Sequence, residues 1–170
     1  FAGRVWLVNP NHAKVHGVDT APSVAALDAT PELAMVCSPP ATVPGVIAEL
    51  GAHGCKAAVV LTGGLSKQPH PDGGSLADAM LRAAKPHLLR ILGPNNLGLL
   101  SPHAKLNASF AHANVEPGGL AFVSQSGALV TAMLDWAASR GIGFSHFVSL
   151  GERADVDFGE MAARLDGSRF

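Results

Sequence analysis

The sequence predicts an α/β fold built on doubly wound parallel sheet. Three observations carry that prediction. Short apolar runs alternate with helix-patterned segments along the chain. The runs stop at clusters of Gly, Pro, Ser, Thr and Asn, the residues of strand-to-helix turns. The chain of 170 residues is also charge-poor, with 48% hydrophobic and 15% charged residues, a composition suited to strands buried on both faces.

The elements follow in order. A first strand is expected over residues 4–8, with its turn at Asn9-Pro10-Asn11. A short helix is expected near 23–27. A strand over 33–37 stops at Ser38-Pro39-Pro40, and a helix over Val43–Ala52 turns Val46, Ile47 and Leu50 inward. A strand over 57–61 ends at Thr62-Gly63-Gly64. A Gly/Pro-rich stretch then leads to a helix near 76–85, and a strand over 90–92 ends at Gly93-Pro94-Asn95-Asn96. Residues 97–118 break this rhythm and read as the connection into a second βαβ unit. That unit holds a strand over 120–123, a loop over 124–127 and a helix over 128–140, with Leu129, Met133 and Trp136 on one face. A strand over 144–150 and a last helix from about 158 to 165 complete it.

Composition excludes several classes. A net charge of −1 offers no broad basic field for nucleic acid or membrane. No apolar run is long enough to span a bilayer. The apolar run after Arg4 is too short for a signal peptide and meets Pro10. Cys37 and Cys55 are isolated, which fits a reduced, cytoplasmic chain. His12 and His16 are four apart, but Pro10 and Gly17 frame a turn, so they read as surface residues rather than metal ligands. Asp157 and Glu160 have the spacing of a helix cap, which is preferred over a magnesium site made with Glu152 and Asp155.

In an open α/β sheet, ligands sit beyond the carboxyl ends of the strands. Four such ends here carry small or rigid residues: Asn9-Pro10, Ser38-Pro39-Pro40, Thr62-Gly63-Gly64 and Pro94-Asn95-Asn96. One alone is an ordinary turn; four at one edge read as a ligand rim. The dinucleotide fingerprint and the Walker A loop are both absent.

The most informative segment is Ser124-Gln125-Ser126-Gly127-Ala128. A strand feeding a hydroxyl-rich loop and then a helix places unpartnered N–H groups and the positive end of the helix dipole together. That arrangement suits an anion. A plain N-cap by Ser126 is the competing reading. A hydrolase elbow would need Gly where Ser124 and Ala128 stand.

Several motifs resemble the NDP-forming acyl-CoA synthetase superfamily. They are Gly93-Pro94-Asn95-Asn96-Leu97-Gly98, Leu106-Asn107-Ala108-Ser109-Phe110, Phe122-Val123-Ser124-Gln125-Ser126-Gly127-Ala128, Leu134-Asp135-Trp136-Ala137, and Ser149-Leu150-Gly151 with Ala154-Asp155-Val156-Asp157-Phe158. The resemblance covers nearly the whole chain. It implies a truncated Rossmann-like CoA-binding domain over 1–100 and the start of a flavodoxin-like, succinyl-CoA synthetase-like domain over 101–170. CoA would lie along Asn9, Pro10, Ser38, Pro39, Pro40, Leu61, Thr62, Gly63 and Asn95. Ser124, Gln125, Ser126, Gly127 and Ala128 would face a phosphoryl group on a catalytic histidine.

That histidine and its acidic partner are expected beyond Phe170, and the Gly-rich CoA loop before Phe1. None of the eight histidines here is nominated as catalytic, and Asn96 stands where the family usually has Cys. The implied activity is an ADP-forming acetate–CoA ligase acting through an acyl phosphate and a phosphohistidine. ATP, ADP and Mg2+ would enter only through an ATP-grasp domain or β subunit, within an oligomer. The alternative is a CoA- or acyl-CoA-sensing module fused to a GNAT-type lysine acetyltransferase.

Overall fold

The computed structural model describes residues 1–166. Its centre is a three-stranded parallel sheet, β4 (Leu33–Val36), β5 (Ala57–Val60) and β6 (Arg90–Leu92), in the order β4-β5-β6. Sequential parallel strands need crossovers of one hand, so the two crossover helices fall on one face. They are α1 (Val43–Ala52) and α2 (Leu76–Ala84), which pack against each other. Val36, Val60 and Ile91 meet Val43, Ile47 and Leu50 of α1 and Leu76 and Met80 of α2. Ser75 starts α2 with a capping box: its Oγ accepts the Asp78 N–H at 3.1 Å, and Asp78 Oδ2 accepts the Ser75 N–H at 2.8 Å.

The second unit is a four-stranded mixed sheet. It contains β7 (Gly98–Ser101), β8 (Leu106–Ser109), β9 (Pro117–Ser124) and β10 (Phe144–Ser149), in the order β8-β7-β10-β9. β9 and β10 are parallel and joined by α3 (Gly127–Ala138); β7 is antiparallel to β10. Phe147 anchors this core, stacked on Phe122 at 4.8 Å and edge-on to Phe144 at 4.9 Å. A helix α4 (Phe158–Asp166) follows.

The α/β class and its parallel strands stand as expected, but the winding differs. The second face of the β4-β5-β6 sheet is covered by the other unit, mainly through its sheet, with Met161 of α4 joining the contact. Val59 and Leu92 pack there with Val148 and Leu150, flanked by Leu61, Leu99 and Val123. The two units therefore share a core.

Four local expectations are corrected. The first strand shortens to β1 (Leu7–Val8), the two residues that find ladder partners; Arg4 and Trp6 before it hold Asp28 through their side chains at 2.6 and 2.8 Å. β1 pairs with β3 (Val18–Ala21) in a separate sheet, where β2 (Lys14–Val15) and β3 form a hairpin closed by His16 and Gly17, both at positive φ. The helix expected near 23–27 is a single 3-10 turn, Val24–Ala26. Residues 97–118 are not a plain connection but carry β7 and β8, which pair closely: a Cβ on Gly98 would lie 2.2 Å from Ala108 O. On α3 the buried stripe is Val130, Leu134 and Ala137, whereas Leu129 and Trp136 are 51% and 47% exposed.

Candidate functional site

β4, β5 and β6 end side by side, with Val36 opposite Val60 and Val59 opposite Leu92. Their loops are tied into one rim. Leu61 donates its N–H to Val36 O at 2.9 Å, Thr62 donates its Oγ1–H to Ser38 O at 2.7 Å, and Asn95 donates its N–H to Thr62 O at 3.0 Å. Pro39 and Pro40 open the 3-10 turn that leads into α1. Asn95 sits in the left-handed region at φ 59° and lays its side chain over Gly63, where a Cβ would lie 2.7 Å from Asn95 Oδ1. A side chain at position 63 would have to push the Asn95 amide aside. Ser38 Oγ is buried without a hydrogen-bond partner among the described residues. Asn96 is buried and donates from Nδ2 to Val60 O and Leu92 O at 3.1 and 2.9 Å, tying two strand ends as a cysteine could not.

Asn9 and Pro10 stand elsewhere, at the end of β1 in the small sheet. Asn9 Oδ1 accepts the N–H groups of Asn11 and His12 at 2.9 and 3.1 Å. Both residues line a shallow hollow with Thr20 and Pro22. The structure therefore gathers 38–40, 61–63 and 95 at one edge, with Asn9 and Pro10 on a separate sheet.

The loop after β9 is built as a helix entry. Ser124 is 6% exposed and its Oγ accepts the Ser126 N–H at 3.1 Å. Ser126 caps α3 by accepting the Leu129 N–H at 3.3 Å. The N-cap reading is thus realised, and it leaves the amides of Gly127 and Ala128 with no partner inside the helix. These two donors, at the positive end of the dipole, are what the loop offers an anion. Gln125 is exposed at the turn between the serines.

One strap joins this loop to the rim. Leu150 donates its N–H to Ser124 O at 2.8 Å. The chain then runs beside β6, with N–H bonds from Glu152 to Pro94 O, Ala154 to Gly93 O and Val156 to Ile91 O at 2.8, 2.9 and 3.2 Å. Arg90, half-exposed and flanked by apolar residues in sequence, grips this strap. Its guanidinium meets Asp155 at 3.0 and 3.1 Å and Glu160 at 2.7 and 2.9 Å. The two carboxylates push its pKa up from the usual arginine value. Asp157 caps α4, accepting the Glu160 N–H at 2.9 Å. Glu152 accepts from Asn95 Nδ2 at 3.2 Å and from Ser66 Oγ. All four acids of this stretch thus have protein partners, and among the described residues no group of three His, Cys, Asp or Glu is placed to hold a metal. Sequence reasoning missed Arg90 and the link from Glu152 to Asn95. A lone arginine inside an apolar strand was the available signal for the first.

Cys55 is buried, which pushes its thiol pKa up and keeps it from thiolate chemistry; Cys37 is exposed. No helix among the described residues is long and apolar enough to cross a membrane.

Two α/β units whose strand-end loops are tied by one strap define a two-unit α/β protein, in which a ligand would be sought at those strand ends. Residues 2–102 match the family model of the CoA binding domain, and 117–168 that of the succinyl-CoA ligase like flavodoxin domain. The chain belongs to the CoA-binding-domain family, here joined to a succinyl-CoA ligase-like domain. It is 34% identical over 171 aligned residues to acetate–CoA ligase [ADP-forming] I of Archaeoglobus fulgidus, covering 99% of this chain and 25% of that protein. It is 37% identical to acetate–CoA ligase [ADP-forming] of Methanocaldococcus jannaschii, covering 92% of this chain and 22% of that protein. The solved apo structure of the dinucleotide forming acetyl-coenzyme A synthetase 1 of Ca. Korarchaeum cryptofilum superposes with a TM-score of 0.89 at 34% identity. It covers 99% of this chain and 36% of that one. The chain therefore spans about a quarter to a third of these relatives.

Proposed function

We propose that this chain is the CoA-binding and first ligase portion of an ADP-forming acyl-CoA synthetase of the acetate–CoA ligase type. The observation that carries the reading is the strap: it fastens a rim of strand ends to the loop that opens α3, whose free N-terminal amides would suit an anion. The division into a CoA unit over 1–100 and a ligase unit over 101–170 belongs to this reading, with β7 hydrogen-bonded in the second sheet.

CoA would lie on Ser38, Pro39, Pro40, Leu61, Thr62, Gly63 and Asn95, with Asn9 and Pro10 extending the site from β1. The unsatisfied Ser38 Oγ, and the Asn95 amide lying over the small residue Gly63, fit a polar, extended ligand arm. Ser124, Gln125, Ser126, Gly127 and Ala128 would hold a phosphoryl group carried on a histidine, and no histidine of this chain is assigned that part. Phosphoryl transfer depends on positioning and charge neutralisation, which two preset amides and a helix dipole supply. CoA thiolysis of the acyl phosphate would then occur at the junction of the units. ATP and Mg2+ would act at an ATP-grasp partner, in an oligomer.

The test is to incubate the full-length protein with labelled ATP and look for acid-labile phosphohistidine, and to titrate CoA by calorimetry. Label and heat are expected. Heat without label points instead to a CoA-sensing module, the form a fused GNAT acetyltransferase would use; neither heat nor label overturns both readings.

A further inference from the structure

Glu152 belongs to the second unit but works on the rim of the first. The backbone sets its place. Its N–H is held by Pro94 O at 2.8 Å. Gly151 before it lies so close to the 94–95 backbone that a Cβ would stand 2.2 Å from Pro94 O and 2.5 Å from Asn95 O. From that fixed point one carboxylate oxygen accepts from Asn95 Nδ2 at 3.2 Å, and the other accepts from Ser66 Oγ.

A carboxylate accepts hydrogen bonds and cannot donate them. Glu152 therefore decides which way the Asn95 amide faces. The NH2 turns toward Glu152, and Oδ1 is left over Gly63. We propose that Glu152 is a positioning residue for CoA: by orienting Asn95 it makes the rim present a hydrogen-bond acceptor, the complement of an amide N–H in the pantetheine arm. This rests on the CoA reading above. Without Glu152 the amide is free to flip, and a flipped Asn95 would aim a donor at a donor.

The test is a double-mutant cycle read by calorimetric titration of CoA into the full-length protein, with thermal unfolding in parallel. Glu152→Ala is expected to weaken CoA about tenfold, the loss of roughly one well-made hydrogen bond. Glu152→Gln restores affinity to within about twofold, because its Oε1 can accept from Asn95 while its NH2 donates to Ser66. Asn95→Ala alone weakens CoA comparably, and the Glu152→Ala/Asn95→Ala pair binds no worse than Asn95→Ala. Unchanged affinity in Glu152→Ala, or losses that multiply in the double variant, overturns the proposal and leaves Glu152 as a brace between the units. No CoA heat from the wild-type protein overturns the CoA reading itself, and the Glu152 proposal with it.

Discussion

Arg90 and Asp155 are joined by two side-by-side hydrogen bonds, Nε to Oδ2 at 3.0 Å and Nη2 to Oδ1 at 3.1 Å. Asp155 Oδ2 also accepts the Ile91 N–H at 2.7 Å. One carboxylate thus closes both the side-chain fork and the backbone edge of β6, where the strap lies. The arginine is 41% exposed and the aspartate 25%, so solvent screens the charges and the fixed geometry supplies most of the effect.

Asp155→Ala removes the fork and strands the Ile91 N–H. It is expected to lower unfolding stability by about 2 kcal/mol, measured by urea denaturation. Arg90→Lys keeps the charge but loses the planar fork, and about 1 kcal/mol is expected. Equal stability of Asp155→Ala and wild type would show that the strap is held by packing at Val148 and Leu150 alone.

Gly151→Ala tests close approach. Gly151 has φ 59° and no room for a Cβ beside Pro94 O and Asn95 O. Gly141 has nearly the same φ, 63°, but nothing within 4 Å of a built Cβ. Gly141→Ala is expected to cost about 1 kcal/mol for left-handed backbone alone. Gly151→Ala should cost about 3 kcal/mol or more and weaken CoA, because the 94–95 rim must shift. Thermal unfolding and CoA titration of the two variants check this; equal losses would refute the steric argument.

The elements that were legible in sequence are those fixed by local pattern. α1 falls on Val43–Ala52 as read, and β6 on Arg90–Leu92, because apolar spacing and flanking turn residues define both. The rim at 38–40, 61–63 and 95 was also legible, since strand ends in a parallel sheet must share an edge. The face of α3 was not. Leu129, Met133 and Trp136 form one apolar stripe, and Val130, Leu134 and Ala137 form a neighbouring one. The core they face, with Leu97, Leu100, Phe144 and Phe147, decides between them. Nor could sequence place Asp155 against Arg90, 65 residues away. Strand 4–8 is shorter than read because only Leu7 and Val8 find ladder partners, at Thr20 and Ala21 of β3, which no local pattern announces.

His146 on β10 gives an acid-side signature. Burial, followed by the neighbouring His103, lowers its pKa below the ordinary histidine value of 6.5. The folded protein then binds fewer protons than the unfolded chain just below that value. The stabilising contribution of neutral His146 is complete above pH 6.5 and is lost as pH falls through the lowered folded value. Urea denaturation from pH 7.5 to about 5 should show falling stability, and His146→Gln should flatten that slope. An unchanged slope in His146→Gln would assign the effect to other groups.

Ser126 separates the observed cap from the proposed anion role of the loop after β9. Its side chain caps α3 through the Leu129 N–H. Ser126→Ala should cost about 1 kcal/mol of stability, as caps generally do. Ser126→Asp replaces one good cap with another, and a carboxylate at a helix N-terminus is favourable for the fold. The same carboxylate would stand beside the Gly127 and Ala128 amides, where a phosphoryl group held as proposed would need positive potential. Ser126→Asp is therefore expected to unfold at or above the wild-type temperature while phosphohistidine labelling of the full-length protein falls by about tenfold or more. Ser126→Ala should do the reverse, losing stability but keeping most of the label through the two amides. If Ser126→Asp labels as well as wild type, the loop is a helix cap and the phosphoryl group is held elsewhere.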